Sequence, residues 1–146
     1  MASNTFNIGK DVTVVYMSPI FPGGRVDFSH VVAWECKPVI KTVKVDPLNK
    51  PPIARDLPGG WDFTFSIERN GPAADSLQSL KETAYWNGVS IPAETMYAYI
   101  SEPDGSTTTW QFNNCTSHLA DAGTWKQEAA VAQKVSGFAS TRVQVS

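Results

Sequence analysis

Cysteine and histidine, the usual zinc ligands, occur twice each in this 146-residue chain. His30 and Cys36 share strand parity, and Cys115-x-x-His118 has ligand spacing, so a Cys₂His₂ zinc site is one reading of the four. Zinc-binding pairs normally sit closer than His30 and Cys36, and unpaired cysteine is among the most buried residue types. The expectation is therefore two small core cysteines, two incidental histidines and no metal. Asp56, Asp62, Glu68, Glu94 and Glu102 could pair for acid–base work, but nothing in their spacing selects a pair. GxSxG, HExxH, P-loop and GxGxxG patterns are absent. Gly23-Gly24 and Gly59-Gly60 lie beside proline and read as turns. No nucleophile is assigned, and neither catalysis nor a cofactor is expected.

The elements around these residues follow from composition and pattern. At 42% hydrophobic and 18% charged, the chain can bury a core, and its length suits one domain over residues 1–146. Twelve basic side chains oppose fourteen acidic ones with no polybasic run, which argues against tight binding along a phosphate backbone. Two cysteines suit a reducing compartment better than a disulfide scaffold. The opening "MASNTFNIGKDV" lacks a charged start followed by an apolar run, so no export signal is expected. No apolar run approaches the 18 residues of a membrane span.

The tidiest pattern is "GGWDFTFSIERNG". Trp61, Phe63, Phe65 and Ile67 alternate with Asp62, Thr64, Ser66 and Glu68, the signature of a strand with one dry and one wet side. "DVTVVYM" is a further strand, and "SPIFPGGRVDFS", from Ser18 to Ser29, is a loop. "HVVAWECK" and "VIKTVKV" are strands joined at Pro38, which must sit at a bend, a bulge or an edge. Asp46 to Gly60 holds four prolines, Pro47, Pro51, Pro52 and Pro58, and reads as a long stiff loop of functional kind.

After Asn70-Gly71-Pro72, the positions Leu77, Leu80, Ala84 and Tyr85 recur at helical spacing, with Gly88 as the stop. The spacing predicts one amphipathic helix whose apolar stripe lies on a sheet. "ETMYAYISE" and "TTTWQFNN" flank the turn Pro103-Asp104-Gly105-Ser106. "SHLADAGTWKQ" is a strand broken at Gly123, and Val135, Ala139, Thr141, Val143 and Val145 share a face near the C-terminus. The order of strands, one helix and strands predicts a mainly β, mostly antiparallel sandwich or barrel with one flanking helix. Trp61 and Trp110 fall on apolar strand faces and are expected in the core. Tyr97 and Tyr99 face away from Met96, Ala98 and Ile100, so that strand lies either beneath the helix or against a neighbouring subunit.

In this order and spacing, "GWDFTFSIERNG", the helix, "YAYISEPDGSTTTWQFNNC" and "LADAGTWKQEAAVAQKVSGFAST" resemble the tail tube proteins of long-tailed bacteriophages. In outline they are also similar to the hemolysin-coregulated tube protein of type VI secretion. The resemblance runs from about Pro38 to the C-terminus, and "SPIFPGGRVDFS" fits no part of it. It implies a tail-tube-like subunit, not an enzyme, with six copies forming a ring. Stacked rings would form a hollow conduit through which DNA leaves without specific binding. The subunit would be made in a bacterial cytoplasm and carried in a virion, with sheath, baseplate, terminator and tape-measure proteins as further partners and no membrane.

The resemblance assigns an inter-ring role to the proline-rich segment. That segment comprises Asp46, Pro47, Leu48 and Asn49, then Lys50, Pro51, Pro52 and Ile53, then Ala54, Arg55, Asp56 and Leu57. The wet side of the tidy strand, Asp62, Thr64, Ser66 and Glu68, faces either the bore of such a tube or outer solvent. A basic bore would grip phosphates, whereas a neutral-to-acidic one lets DNA slide. Two alternatives remain: a secretion-system tube or tail-terminator ring, and, in a different class, a β-sandwich carbohydrate-binding module using exposed Trp and Tyr.

Overall fold

The computed structural model describes residues 6–26, 28 and 30–145. The sequence expectations for residues 1–5, for Asp27 and Ser29 in the first loop, and for the side chain of His30 lie outside that description. After a short 3₁₀ turn at Gly9–Asp11 come β1 (Val12–Met17), β2 (Arg25–Val26), β3 (His30–Val45) and β4 (Ile53–Glu68). Then follow α1 (Ala73–Trp86), β5 (Glu94–Ser101), β6 (Thr107–Asp121), β7 (Ala132–Ala139) and β8 (Thr141–Gln144). All the strand pairs are antiparallel. No helix among the described residues is long and apolar enough to cross a membrane.

β6 organises the molecule by serving two layers. Its first half pairs with β5 on one side and β8 on the other, and β5 continues through β1 to β2. Its second half pairs with β7, which continues through β4 to β3. The change of layer falls at Asn114, whose φ of 52° is left-handed, a conformation asparagine tolerates better than most residues.

The two layers meet across an aromatic core. Tyr16, Met96 and Phe112 come from one layer, and Phe63, Phe65, Ile67 and Val135 from the other; all are buried. Tyr16 lies 6.0 Å from Phe63 and 6.2 Å from Phe65 between ring centroids, the second pair edge-to-face. Each fully buried side chain of this kind contributes about 1.5–3 kcal/mol from the area it removes from water. Trp61 and Trp110 correct the sequence expectation: both are only half-buried and pack against the edge of the core.

The expected helix is present over 14 residues, with Leu77 and Ala84 buried and Gly88 ending it at φ 72°. Asp75 in its first turn accepts from Arg69 and from Gln133, tying the helix start to the end of β4 and to β7. The turn at Pro103–Ser106 also forms as expected. Asp104 Oδ1 accepts from the Ser106 amide and hydroxyl, and these bonds hold its carboxyl below the usual range.

The proline-rich segment is the main correction to the expected elements. Asp46–Gly60 is not one loop: only residues 46–52 form the connection, while Ile53–Gly60 extend β4, with Ile53 to Pro58 pairing with β3. β3 and β4 together form a ribbon that runs beyond the last β7 partner, Ala139 opposite Trp61. In a two-stranded ribbon each strand has a free edge, so Pro58 can be accommodated without breaking a ladder. Pro38 lies on an edge strand at a bulge, where Pro38 pairs Trp61 and Ile40 pairs Pro58. Gly59 and Gly60 supply the extra residue there. Gly60 has φ 103°, and a Cβ on it would run into the Phe138 ring.

Candidate assembly surfaces

The outer part of the β3–β4 ribbon, residues 39–60, has no core to cover. Ile40, Val43, Val45, Leu48 and Ile53 are all exposed, Leu48 at 90%. Thr42 Oγ1 donates to Asp56 Oδ1 at 2.8 Å, a cross-strand link near the middle of the arm. The arm carries Lys41, Lys44, Lys50 and Arg55 against Asp46 and Asp56, leaving eight basic against twelve acidic side chains elsewhere in the chain. An apolar, basic projection thus extends from an acidic body.

The four residues expected on the wet side of β4 do share one face. Asp62 and Glu68 are exposed, and Thr64 and Ser66 are half-buried, opposite the buried Phe63, Phe65 and Ile67. The register sets Lys37 and Glu35 of β3 beside Asp62 and Thr64. Ser136 and Lys134 of β7 lie on their other side, with His118 of β6 beyond Ser136. Thr64 and Ser136 hydroxyls approach to 3.4 Å at a shallow groove of about 370 Å³. Four acidic side chains on this face, Glu35, Asp62, Glu68 and Asp121, meet two basic ones, Lys37 and Lys134, so it carries no basic excess.

A third site was not anticipated. Lys81 on α1 and Glu94 on β5 are buried together, with the ammonium 2.6 Å from Glu94 Oε1. The same oxygen accepts from the Tyr16 hydroxyl at 2.5 Å and from Ser117 Oγ at 3.2 Å. Lys81 Nζ also donates to the Ser117 carbonyl and hydroxyl, each at 2.8 Å. The cluster pins α1, β1, β5 and β6 to one another. The signal was legible: Lys81 interrupts the buried stripe Ala74, Leu77 and Ala84, and Glu94 interrupts Met96 and Ala98. Opposite charges on two dry faces must find each other.

The surroundings of this cluster suppress reactivity. Burial, reinforced by Glu94, drives the Tyr16 hydroxyl far above its ordinary range, so it remains a donor. Burial likewise pushes the Cys115 thiol up to about 12, with Glu94 adding to the effect. A thiol held neutral is a poor nucleophile and a poor metal ligand. Cys115 points into the core, while His118, of opposite strand parity, is exposed. Among the described residues no three His, Cys, Asp or Glu side chains form a metal-binding group.

The same helix also closes an edge. Gln78 Oε1 accepts from the Leu119 amide at 2.9 Å, and Lys81 Nζ donates to the Ser117 carbonyl. Two side chains of α1 thereby satisfy backbone groups that β6 would otherwise offer to a further strand. On the other layer, the Arg142 guanidinium of β8 is held between the Trp61 and Trp110 rings, 3.9 Å from each centroid.

No family model and no curated protein sequence matches the chain. Solved structures do. A chain of an extracellular contractile injection system, the PVC sheath/tube terminator in the extended state, superposes with a TM-score of 0.64 at 8% identity, covering 99% of this chain and 100% of that one. The fold is tail-tube-like. A chain of the PVC sheath–tube complex in the extended state gives a TM-score of 0.60 at 6% identity, covering 90% of this chain and 86% of the other. The tube-terminating cap of the anti-feeding prophage gives 0.61 at 8%, covering 99% and 94%. At such identities the tail-tube-like likeness concerns architecture: antiparallel layers with, among the described residues, one α-helix at the flank.

Proposed function

We propose that this chain is a structural subunit of a tail tube, in which hexameric rings stack into a hollow conduit for DNA. The observation that carries the reading is the arm of residues 39–60. A ribbon with exposed apolar side chains on both faces is costly in a lone molecule and is stabilised when a second copy covers it. Its basic charge against an acidic body favours docking on another copy of the same chain. The arm, including Asp46–Leu57, reaches the next ring, and Asp62, Thr64, Ser66 and Glu68 line the bore. A lining without basic excess would let DNA slide past.

The tail-tube-like fold supports this role, since the similar chains come from tube, terminator and cap assemblies. The subunit acts by position and performs no catalysis. Sheath, baseplate and terminator proteins would be its partners in a tail assembled in a bacterial cytoplasm. The full-length match to a sheath/tube terminator favours one second reading, a single ring that ends a tube. Negative-stain electron microscopy of purified protein tests both. Long hollow filaments support the tube, and isolated six-fold rings support the terminator. A persistent monomer at high concentration contradicts both.

A further inference from the structure

An aromatic patch at the end of α1 sits where the fold gives it nothing to cover. Tyr85 is 67% exposed and Trp86 is 80% exposed, with Val89 and Ile91 also open to solvent. Tyr85, Trp86 and Ile91 border a groove of about 470 Å³ that Gln78, Lys81, Glu82, Ser117 and His118 complete.

The hydrogen-bond register fixes the height of this patch. Asp75 meets Gln133, which pairs with Ile67. Six residues later, Lys81 meets Ser117, which pairs with Gly137 and so lies level with Phe63. The helix therefore descends along β4 toward the arm. At 1.5 Å per residue, the next turn brings Tyr85 and Trp86 about level with Trp61, where the arm begins. β3 and the second half of β6 are the two opposite edges of this four-stranded layer. Close to the same height on the β3 edge, Ile40 is exposed, two residues past Pro38, the partner of Trp61.

We infer that the aromatic patch of α1 is the lateral docking surface for the β3 edge and arm base of a second copy. Two apolar surfaces at one height on opposite edges cannot meet within a chain, but they meet when copies stand side by side. Such a head-to-tail contact closes into a ring when its rotation permits. The charges agree. β3 carries Lys37, Lys41 and Lys44 against Glu35, while the exposed charge beside the patch is Glu82. The β6 edge is already capped by Gln78 and Lys81, so side chains, not a backbone ladder, form this contact. The inference rests on the tube reading and assigns the surface within a ring.

The test is cross-linking of the full chain in a Cys36→Ser background. Ile40→Cys and Trp86→Cys together should give, on oxidation, a ladder of covalent multimers ending at the ring, and each alone should give monomers. Trp86→Glu should raise the concentration needed for ring formation about tenfold or more, with an unchanged circular dichroism spectrum. Covalent dimers from Ile40→Cys alone would indicate a symmetric contact and overturn the inference. Rings from the parent protein without a ladder, or rings from Trp86→Glu at the parent concentration, would overturn it and leave the tube reading standing. A parent protein that never self-associates would overturn both.

Discussion

Lys81 Nζ lies 2.6 Å from Glu94 Oε1 in the core, joining the only helix among the described residues to the strand that follows it. Lys81→Met strands a buried carboxylate and is expected to cost about 3–5 kcal/mol, read from urea unfolding. Lys81→Met with Glu94→Leu should recover much of that loss. A double variant destabilised by the sum of the two single-variant losses would mean that the pair is not coupled.

Alkaline pH should weaken the fold. Cys115 ionises at about 12 when folded against an ordinary 9.0, so between these values the unfolded chain releases the proton first. Its contribution is fully present below pH 9.0 and is lost as pH rises toward 12. Tyr16, also raised, acts in the same direction at higher pH. Denaturation midpoints from pH 8 to pH 11 should fall less steeply in Cys115→Ala than in the parent protein. Parallel curves would contradict the assignment.

The stacked guanidinium of Arg142 predicts a modest, specific effect. Arg142→Ala should destabilise the fold by about 1–2 kcal/mol and alter tryptophan emission as Trp61 and Trp110 lose the cation between them. Arg142→Lys should retain part of the stability. Unchanged emission in Arg142→Ala would show that the stack is absent in solution.

Much of this architecture could be read from side-chain pattern. The alternation from Trp61 to Glu68, the helix stripe, and the Pro103–Ser106 turn are local signals, and local physics produced them. The outer arm was hidden because four prolines within 15 residues read as a loop. Pro58 lies in a ribbon with free edges, which only the pairing partners reveal. The switch of β6 between layers depends on Asn114 and on what each half pairs with, a non-local property. The Lys81–Glu94 pair was visible as two misplaced charges, but their meeting needed the path of the helix. The aromatic patch of α1 could be recognised only once Tyr85 and Trp86 proved exposed.

Leu48 at the tip of the arm separates folding from stacking. At 90% exposed it contributes little to the lone subunit, so Leu48→Asp should leave the melting temperature nearly unchanged. The same variant should form rings that fail to stack, read by sedimentation and electron microscopy. Filaments as long as those of the parent protein would remove the arm from the inter-ring contact.

The central claim, that identical copies complete this fold, is tested most directly by cryo-electron microscopy of the purified full chain at high concentration. Stacked six-fold rings are expected, with residues 39–60 of each subunit touching the next ring and Asp62, Thr64, Ser66 and Glu68 facing the bore. Solitary particles, or a tube in which the arm contacts no neighbour, would contradict it.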